Sequence, residues 1–116
     1  MKGKDFIDCG ATLNNLGTVY EKLGMHEKAL THYEQCFEIY SKSKERSLEM
    51  ATTLNNIGNM YRGMMDNVKA LTCFKEALSI QQAIKGKGLL LSAVTLNNIG
   101  VVYASQADYK NSINYV

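Results

Sequence analysis

Three pairs of asparagine residues lie in nearly identical six-residue motifs. The motif reads TLNNLG at residues 12–17, and TLNNIG at residues 53–58 and 95–100. An asparagine side chain carries a hydrogen-bond donor and an acceptor on one amide group. Such amides can hold the backbone of an extended peptide without reading its side chains. The motif therefore indicates hydrogen-bonded recognition, and its repetition indicates several equivalent sites.

Side chains suited to catalysis or metal binding do not form a comparable pattern. His32 and Cys36 are four residues apart and could supply half of a zinc site, but no second pair has matching spacing. We predict that Cys36 fills a small core position and that Cys73 is a buried small residue, not a nucleophile. No Ser-His-Asp or Cys-His arrangement is readable, and the Gly-Lys-Gly run at 86–88 is too short for a phosphate loop. We predict no enzyme activity, cofactor or metal site.

The composition indicates a globular protein without a nucleic-acid or membrane partner. The chain has 116 residues, of which 46% are hydrophobic and 21% charged, and its formal net charge is only +2. Three widely spaced cysteines predict no disulfide framework. The N-terminal sequence lacks the apolar core of a signal peptide, and no run of about 18 apolar residues occurs. We expect a cytoplasmic protein, or a cytoplasmic piece of a larger one.

The motif marks an internal repeat of helical pairs. Successive motifs begin 41 and 42 residues apart, and the segments at 26–40 and 67–81 also align. Leu13, Leu16, Gly17 and Tyr20 have the i, i+3, i+4, i+7 spacing of one helix face. No useful stretch alternates with period two, so we predict no strands. The predicted helices cover residues 8–23, 27–43, 47–63, 67–84, 89–105 and 109–116, in repeats of about 8–46, 47–87 and 88–116.

Each first helix contains a glycine on its apolar face, at Gly17, Gly58 and Gly100. Glycine inside a helix costs up to about 1 kcal/mol relative to alanine. Its recurrence predicts close approach of the second helix, with the small Ala29 and Ala70 meeting it. A large side chain three residues later would fill the wider space alongside: Tyr20, Tyr61 or Tyr103. We also expect Gly24 to end a helix and two aspartates, Asp66 and Asp108, to begin the following ones.

These residues resemble the tetratricopeptide repeat family. The first copy matches its pattern at Leu13, Leu16, Gly17, Tyr20, Ala29, Tyr33 and Cys36, and the second at Leu54, Ile57, Gly58, Tyr61, Ala70, Phe74 and Ala77. The third has Leu96, Ile99, Gly100 and Tyr103, with Ser112 in place of the alanine. The long period and the Leu-Asn-Asn sequence are similar to the kinesin light chain and Pins types. The resemblance implies an all-α superhelix (solenoid) of antiparallel helix hairpins, with two full repeats and a partial third.

The resemblance also implies a concave groove lined by the first helix of each repeat. At about 100° per residue, the second asparagine of each pair points away from the core. Groove asparagines in this family hold ligand backbone, which predicts a peptide-binding groove formed by Asn15, Thr18, Lys22, Asn56, Asn59, Arg62, Asn98 and Val101. The first asparagines, Asn14, Asn55 and Asn97, could instead bond to a neighbouring helix and set the packing of the repeats.

The predicted function is protein–protein interaction, with a peptide segment of a partner bound in the groove and the chain acting as adaptor or scaffold. Two alternatives are a regulatory segment of a larger enzyme or signalling protein, and a structural array that self-associates. The third copy stops half-way through its second helix, so the uncapped C-terminal end is a possible site of homo-oligomer formation.

Overall fold

The residues that the structure describes form five α-helices in sequence. The computed structural model describes residues 2–84 and 86–114, and the side chains of residues 9–84, 86 and 90–107. The helices are α1 (Lys2–Lys22), α2 (His26–Ser41), α3 (Ser47–Gly63), α4 (Asn67–Gln82) and α5 (Lys87–Asn114), with a short 3-10 helix (Lys44–Arg46) before α3. The described ranges contain no strand, which confirms the all-α prediction. None of the helices described is long and apolar enough to cross a membrane.

The turns inside the first two repeats use similar backbone geometry. Gly24 ends α1 with a φ of +76°, and the Met25 N–H donates to the Tyr20 carbonyl at 2.9 Å. Met65 takes the left-handed conformation in the second repeat, with a φ of 66°. Asp66 then begins α4, because its side chain accepts a hydrogen bond from the Lys69 N–H. The predicted roles of Gly24 and Asp66 are therefore confirmed.

The helical glycines make room for aromatic rings. A Cβ built on Gly17 would lie 2.6 Å from the Tyr33 ring, and one built on Gly58 would lie 2.6 Å from the Phe74 ring. The predicted close approach of the second helix is confirmed at Gly17 and Gly58, where the nearest atoms belong to an aromatic ring and not to the alanine, but it is not found at Gly100, where an added Cβ would meet nothing within 4 Å. The aromatic ring lies one turn beyond the alanine, and its greater length lets it reach across to the glycine.

The second helix of a repeat is buried between two first helices. Ala29 and Tyr33 of α2 form a core cluster with Ile57 and Met60 of α3. In the same way, Ala70 and Phe74 of α4 cluster with Val102 of α5. Tyr20 and Tyr61 pack at the margins of these clusters, as predicted. The core is therefore a row of helix-to-helix contacts that continues from one repeat to the next.

The third copy differs from its predicted form. The sequence predicts separate helices at 89–105 and 109–116, whereas α5 continues as one helix through Asp108 to Asn114. Extending an existing helix adds a hydrogen bond for each ordered residue, whereas a new short helix must first be nucleated. The existing helix therefore continues through Asp108. Tyr115 and Val116 lie outside the described residues.

Candidate functional site

Asparagine side chains link the first helices of successive repeats. Asn56 Nδ2 on α3 donates to Asn14 Oδ1 on α1 at 3.0 Å. One repeat later, Asn98 Nδ2 on α5 donates to Asn55 Oδ1 on α3 at 3.4 Å. These bonds hold α1, α3 and α5 side by side. We call the surface around these four residues and Asn15 the asparagine face.

The first asparagine of the middle copy belongs to a buried polar network. Asn55 is buried, and its Nδ2 donates to Thr95 Oγ1 at 2.8 Å. The Thr95 hydroxyl donates in turn to Gln81 Oε1 at 2.6 Å. The alternative that the first asparagines set repeat packing is therefore confirmed for Asn55 and Asn14. Asn97, at the same position of the third copy, is exposed.

The second asparagines form an uneven ladder. Asn15 is exposed, whereas Asn56 and Asn98 are half-buried and use their amide N–H groups on the preceding repeat. Neither Asn56 Oδ1 nor Asn98 Oδ1 accepts a hydrogen bond from the described residues. Asn15 can therefore offer a ligand both a donor and an acceptor, while Asn56 and Asn98 offer mainly an acceptor.

The other predicted groove residues fall into two groups. Thr18 is tied to its own repeat, since its hydroxyl bonds to the Asn14 carbonyl at 3.0 Å and contacts Tyr33 Oη at 3.2 Å. Asn59 is half-buried, and its buried Oδ1 finds no partner among the residues described. The remaining three are exposed or half-buried, and no described hydrogen bond or ion pair occupies their side chains: Lys22, Arg62 and Val101.

A cleft that the sequence analysis missed opens beside Asn14. It has a volume of about 310 Å³ and is lined by Asn14, Tyr40, Leu48, Glu49, Thr52, Thr53 and Leu91. These residues come from α1, α2, α3 and α5, so no local pattern in the sequence brings them together. The only feature of the sequence that pointed towards this cleft was Thr52, which lies one helical turn from Asn56 on the same side of α3.

The cleft offers neutral and acidic hydrogen-bonding groups between apolar walls. Burial is the main cause that raises the pKa of Tyr40, with Cys36 and Glu49 adding to it and Arg46 opposing it. The phenol is therefore neutral at physiological pH and can donate a hydrogen bond. Glu49 Oε1 lies 3.9 Å from Arg46 Nη1, while its Oε2 is buried without a described partner. Leu48 and Leu91 supply the apolar surface.

The histidine and cysteines considered as chemical groups have structural roles. His32 Nδ1 lies 2.7 Å from the Lys28 carbonyl, and Cys36 is buried with its Sγ 3.6 Å from Thr53 Oγ1. Burial, followed by nearby Glu76 and Glu34, raises the pKa of Cys73 to about 11, so its thiol is protonated. The side chains that the structure describes contain no group of three metal-ligating residues.

Comparison with family models identifies the repeats. A tetratricopeptide repeat model matches residues 49–116, and a second tetratricopeptide repeat model matches residues 10–43. The chain belongs to the tetratricopeptide repeat family. Tetratricopeptide repeats are generally protein-interaction modules and are typically non-catalytic. No curated protein matches the sequence.

The tetratricopeptide repeat fold is also found by comparison with solved structures. The chain superposes on the crystal structure of BtubC (BKLC) from P. vanneervenii with a TM-score of 0.76 and 24% sequence identity. The match covers 92% of this chain and 43% of the BtubC chain. This likeness concerns the fold, and the chain spans less than half the length of that relative.

Proposed function

We propose that the asparagine face binds an extended peptide segment of a partner protein, and that the chain acts as an adaptor or scaffold. The observation that carries this proposal is the open cleft of about 310 Å³ next to a row of amides that span three repeats. Amide acceptors that recur from one repeat to the next can pair with the backbone N–H groups of an extended peptide. The family's general role in protein interaction supports the same conclusion.

The residues of this face divide the recognition between backbone and side chains. Asn15 can exchange hydrogen bonds with the peptide backbone in both directions, while Asn56 and Asn98 accept from backbone N–H groups. One ligand side chain enters the cleft, with an aliphatic stem between Leu48 and Leu91 and a donor group directed to the exposed part of the Glu49 side chain. Elsewhere on the face, the exposed Lys22 and half-buried Arg62 favour acidic groups on the ligand.

The test is to fill the cleft without disturbing the fold. Thr52 is exposed, lines the cleft and bonds only to the Leu48 carbonyl of its own helix, so Thr52→Phe blocks the cleft at little structural cost. Thr72 on α4 is also exposed and makes the same bond to the Val68 carbonyl, so Thr72→Phe is the matched control.

Peptides selected from a random library on the unmodified protein provide the ligands. We expect Thr52→Phe to weaken their binding by about tenfold or more, because the ligand side chain loses its place, and Thr72→Phe to leave it unchanged. Asn15→Ala should weaken binding less, since it removes one pair of hydrogen bonds. Circular dichroism checks that helicity is retained. Peptides that bind Thr52→Phe as tightly as the original protein would contradict the proposal.

Two further expectations belong to this proposal. Cys9, Cys36 and Cys73 are free, which suits a reducing compartment such as the cytoplasm.

The alternative function is self-association through the C-terminal end, because α5 exposes apolar side chains there. Light scattering over a range of protein concentrations measures this directly, and a constant monomer mass excludes it.

A further inference from the structure

The cleft beside Asn14 carries a negative charge. Among the described residues that line it, Glu49 alone is charged. Its ion-pair partner Arg46 lies outside the lining, with Nη1 at 3.9 Å from Glu49 Oε1. The two side chains are 41% and 42% exposed, so water screens this long contact and the pair is weak. A cation from a ligand can therefore approach the same carboxylate.

The electrostatic environment of Tyr40, on another wall of the cleft, agrees with this. Burial is the main cause that raises the pKa of the phenol, followed by Cys36 and then Glu49. Arg46 lowers the pKa by less than Glu49 raises it. The charges of Glu49 and Arg46 together therefore give a negative potential at this wall, which favours a cationic occupant.

The threonines of the cleft present lone pairs to a ligand and not protons. Thr52 Oγ1 donates to the Leu48 carbonyl at 3.0 Å, and Thr53 Oγ1 donates to the Glu49 carbonyl at 2.9 Å. A hydroxyl has one proton, so only its acceptor lone pairs remain for a ligand. Thr52 is exposed whereas Thr53 is buried, so a ligand reaches Thr52. Glu49 and Thr52 are three residues apart on α3, which places these two acceptors on one side of the helix.

The walls and the size of the cleft suit a long aliphatic stem. Leu48 on α3 and Leu91 on α5 both line it. Its volume of about 310 Å³ is about ten times the share of one molecule in liquid water. Basic side chains bury their methylene stems along apolar surface and keep the charged group among polar atoms. The cleft offers both surroundings.

The Glu49 carboxylate distinguishes between the two basic side chains. Its Oε2 is buried and has no described partner, so Oε1 is the oxygen that a ligand can reach. Arginine gains its advantage from two parallel hydrogen bonds to both oxygens of a carboxylate. Lysine carries a compact charge with three donors, which single oxygen atoms can share. One accessible carboxylate oxygen and one hydroxyl therefore favour an ammonium group.

We infer that the cleft is a subsite for a lysine side chain, and that Glu49 selects lysine over arginine, uncharged and acidic side chains. The ammonium group donates to Glu49 Oε1 and Thr52 Oγ1, and the stem lies between Leu48 and Leu91. This inference rests on the proposed peptide-binding function and names the residue type that the cleft accepts. Acetylation of that lysine removes its charge, and so weakens the complex.

Four peptide libraries test the choice of side chain. Each contains short random peptides whose central residue is fixed as lysine, arginine, norleucine or glutamate. Norleucine keeps the aliphatic stem of lysine and lacks its charge. The immobilised protein is incubated with each library, and the retained peptide is quantified. We expect the lysine library to be retained about tenfold more than the norleucine and glutamate libraries, and about threefold more than the arginine library.

Glu49→Gln tests the residue that makes the choice, because it removes the charge and keeps the shape of the side chain. Glu45→Gln is the matched control, since Glu45 is exposed and is not among the residues that line the cleft. We expect Glu49→Gln to reduce the preference for lysine over norleucine by about tenfold, and Glu45→Gln to leave it unchanged. Added salt should reduce the same preference in the unmodified protein. Circular dichroism checks that both variants keep their helicity.

The results separate this inference from the proposed function. Equal retention of the four libraries, lost in Thr52→Phe, would overturn the lysine subsite and leave peptide binding in the cleft intact. Stronger retention of the arginine library than of the lysine library would also overturn it, as would a lysine preference that persists in Glu49→Gln. Retention that Thr52→Phe does not change, or no retention of any library, would contradict both proposals.

Discussion

At the residue scale, two glycines are retained inside helices because aromatic rings occupy the space of a Cβ. Gly58 lies under Phe74, and Gly17 lies under Tyr33. Both rings are almost completely buried, so they cannot move aside easily. Burial, modified by hydrogen bonds to Thr18 and Glu21, raises the pKa of Tyr33 to about 12. The phenol is therefore neutral at physiological pH.

Alanine substitution at equivalent glycines should have opposite effects. Gly58→Ala places a Cβ 2.6 Å from a buried ring, and we expect it to lower the free energy of unfolding by about 1–3 kcal/mol. Gly100→Ala meets no atom within 4 Å, so the better helix propensity of alanine should raise it by up to about 1 kcal/mol. Urea denaturation followed by circular dichroism measures both. Equal effects of the two substitutions would show that the ring contact is unimportant.

The recurrence of glycine was readable from the sequence, but its contact was not. Periodicity places Gly17 on the apolar face of a helix, and so predicts a close neighbour. It does not say which residue of the second helix comes closest, because that depends on how the two helices are rotated about their axes. Ala29 and Tyr33 both face α1, and only the packed structure shows that the ring meets the glycine.

At the scale of elements, the asparagine pair is a connector between repeats. The first asparagine of a repeat accepts a hydrogen bond from the second asparagine of the next, at Asn14–Asn56 and Asn55–Asn98. The bond between Asn55 and Thr95 then extends to Gln81, which links α3, α4 and α5. Buried polar groups joined in this way favour one register of the helices over its alternatives.

Removal of the connector should weaken the contact between repeats. We expect Asn55→Ala to lower the free energy of unfolding by about 1–3 kcal/mol, because the Asn98 amide and the buried Thr95 hydroxyl lose a partner. Asn97→Ala is the matched control, since this exposed asparagine has the equivalent place in the third copy and makes no described hydrogen bond. Thermal unfolding measures the difference, which is expected to be several degrees. Equal stability of the two variants would contradict the role of Asn55 as a connector between repeats.

At the scale of the whole molecule, the protein is an elongated stack with a covered middle and uncovered ends. Its dimensions are 60 × 33 × 17 Å. The helix α3 is covered by neighbours from both repeats, whereas α1 leaves Val19 52% exposed at the position where α3 buries Met60. In stacked repeats, each element gains stability mainly from its nearest neighbours. Stability should therefore decrease from the middle towards both ends.

Hydrogen exchange should show this gradient. We expect the backbone amides of α3 and α4 to be the most protected, and those of α1 and the second half of α5 to exchange faster, since these helices are covered on fewer sides. Mass spectrometry of peptic fragments resolves the five helices. Uniform protection along the chain would indicate a single cooperative unit and contradict the gradient.

The sequence by itself determined the local and periodic features of this protein. Helix α3 was predicted with its observed bounds, 47–63, and α2 and α4 were each predicted to within two residues at either end. These features follow from the spacing of apolar residues and from turn residues such as Gly24, which act over a few positions. The repeat register is equally evident from the sequence, because nearly identical motifs recur at intervals of 41 and 42 residues.

Only the tertiary structure decided which groups meet across helices. The bond from Asn56 to Asn14 joins residues 42 positions apart, and the cleft beside it uses side chains from four helices. It also decided that α5 continues past Asp108, since extending an existing helix avoids the cost of nucleating a second one. Helical periodicity tells which side of a helix is buried. Which residue lies opposite that side depends on the relative position and rotation of whole helices. No short stretch of sequence determines these by itself.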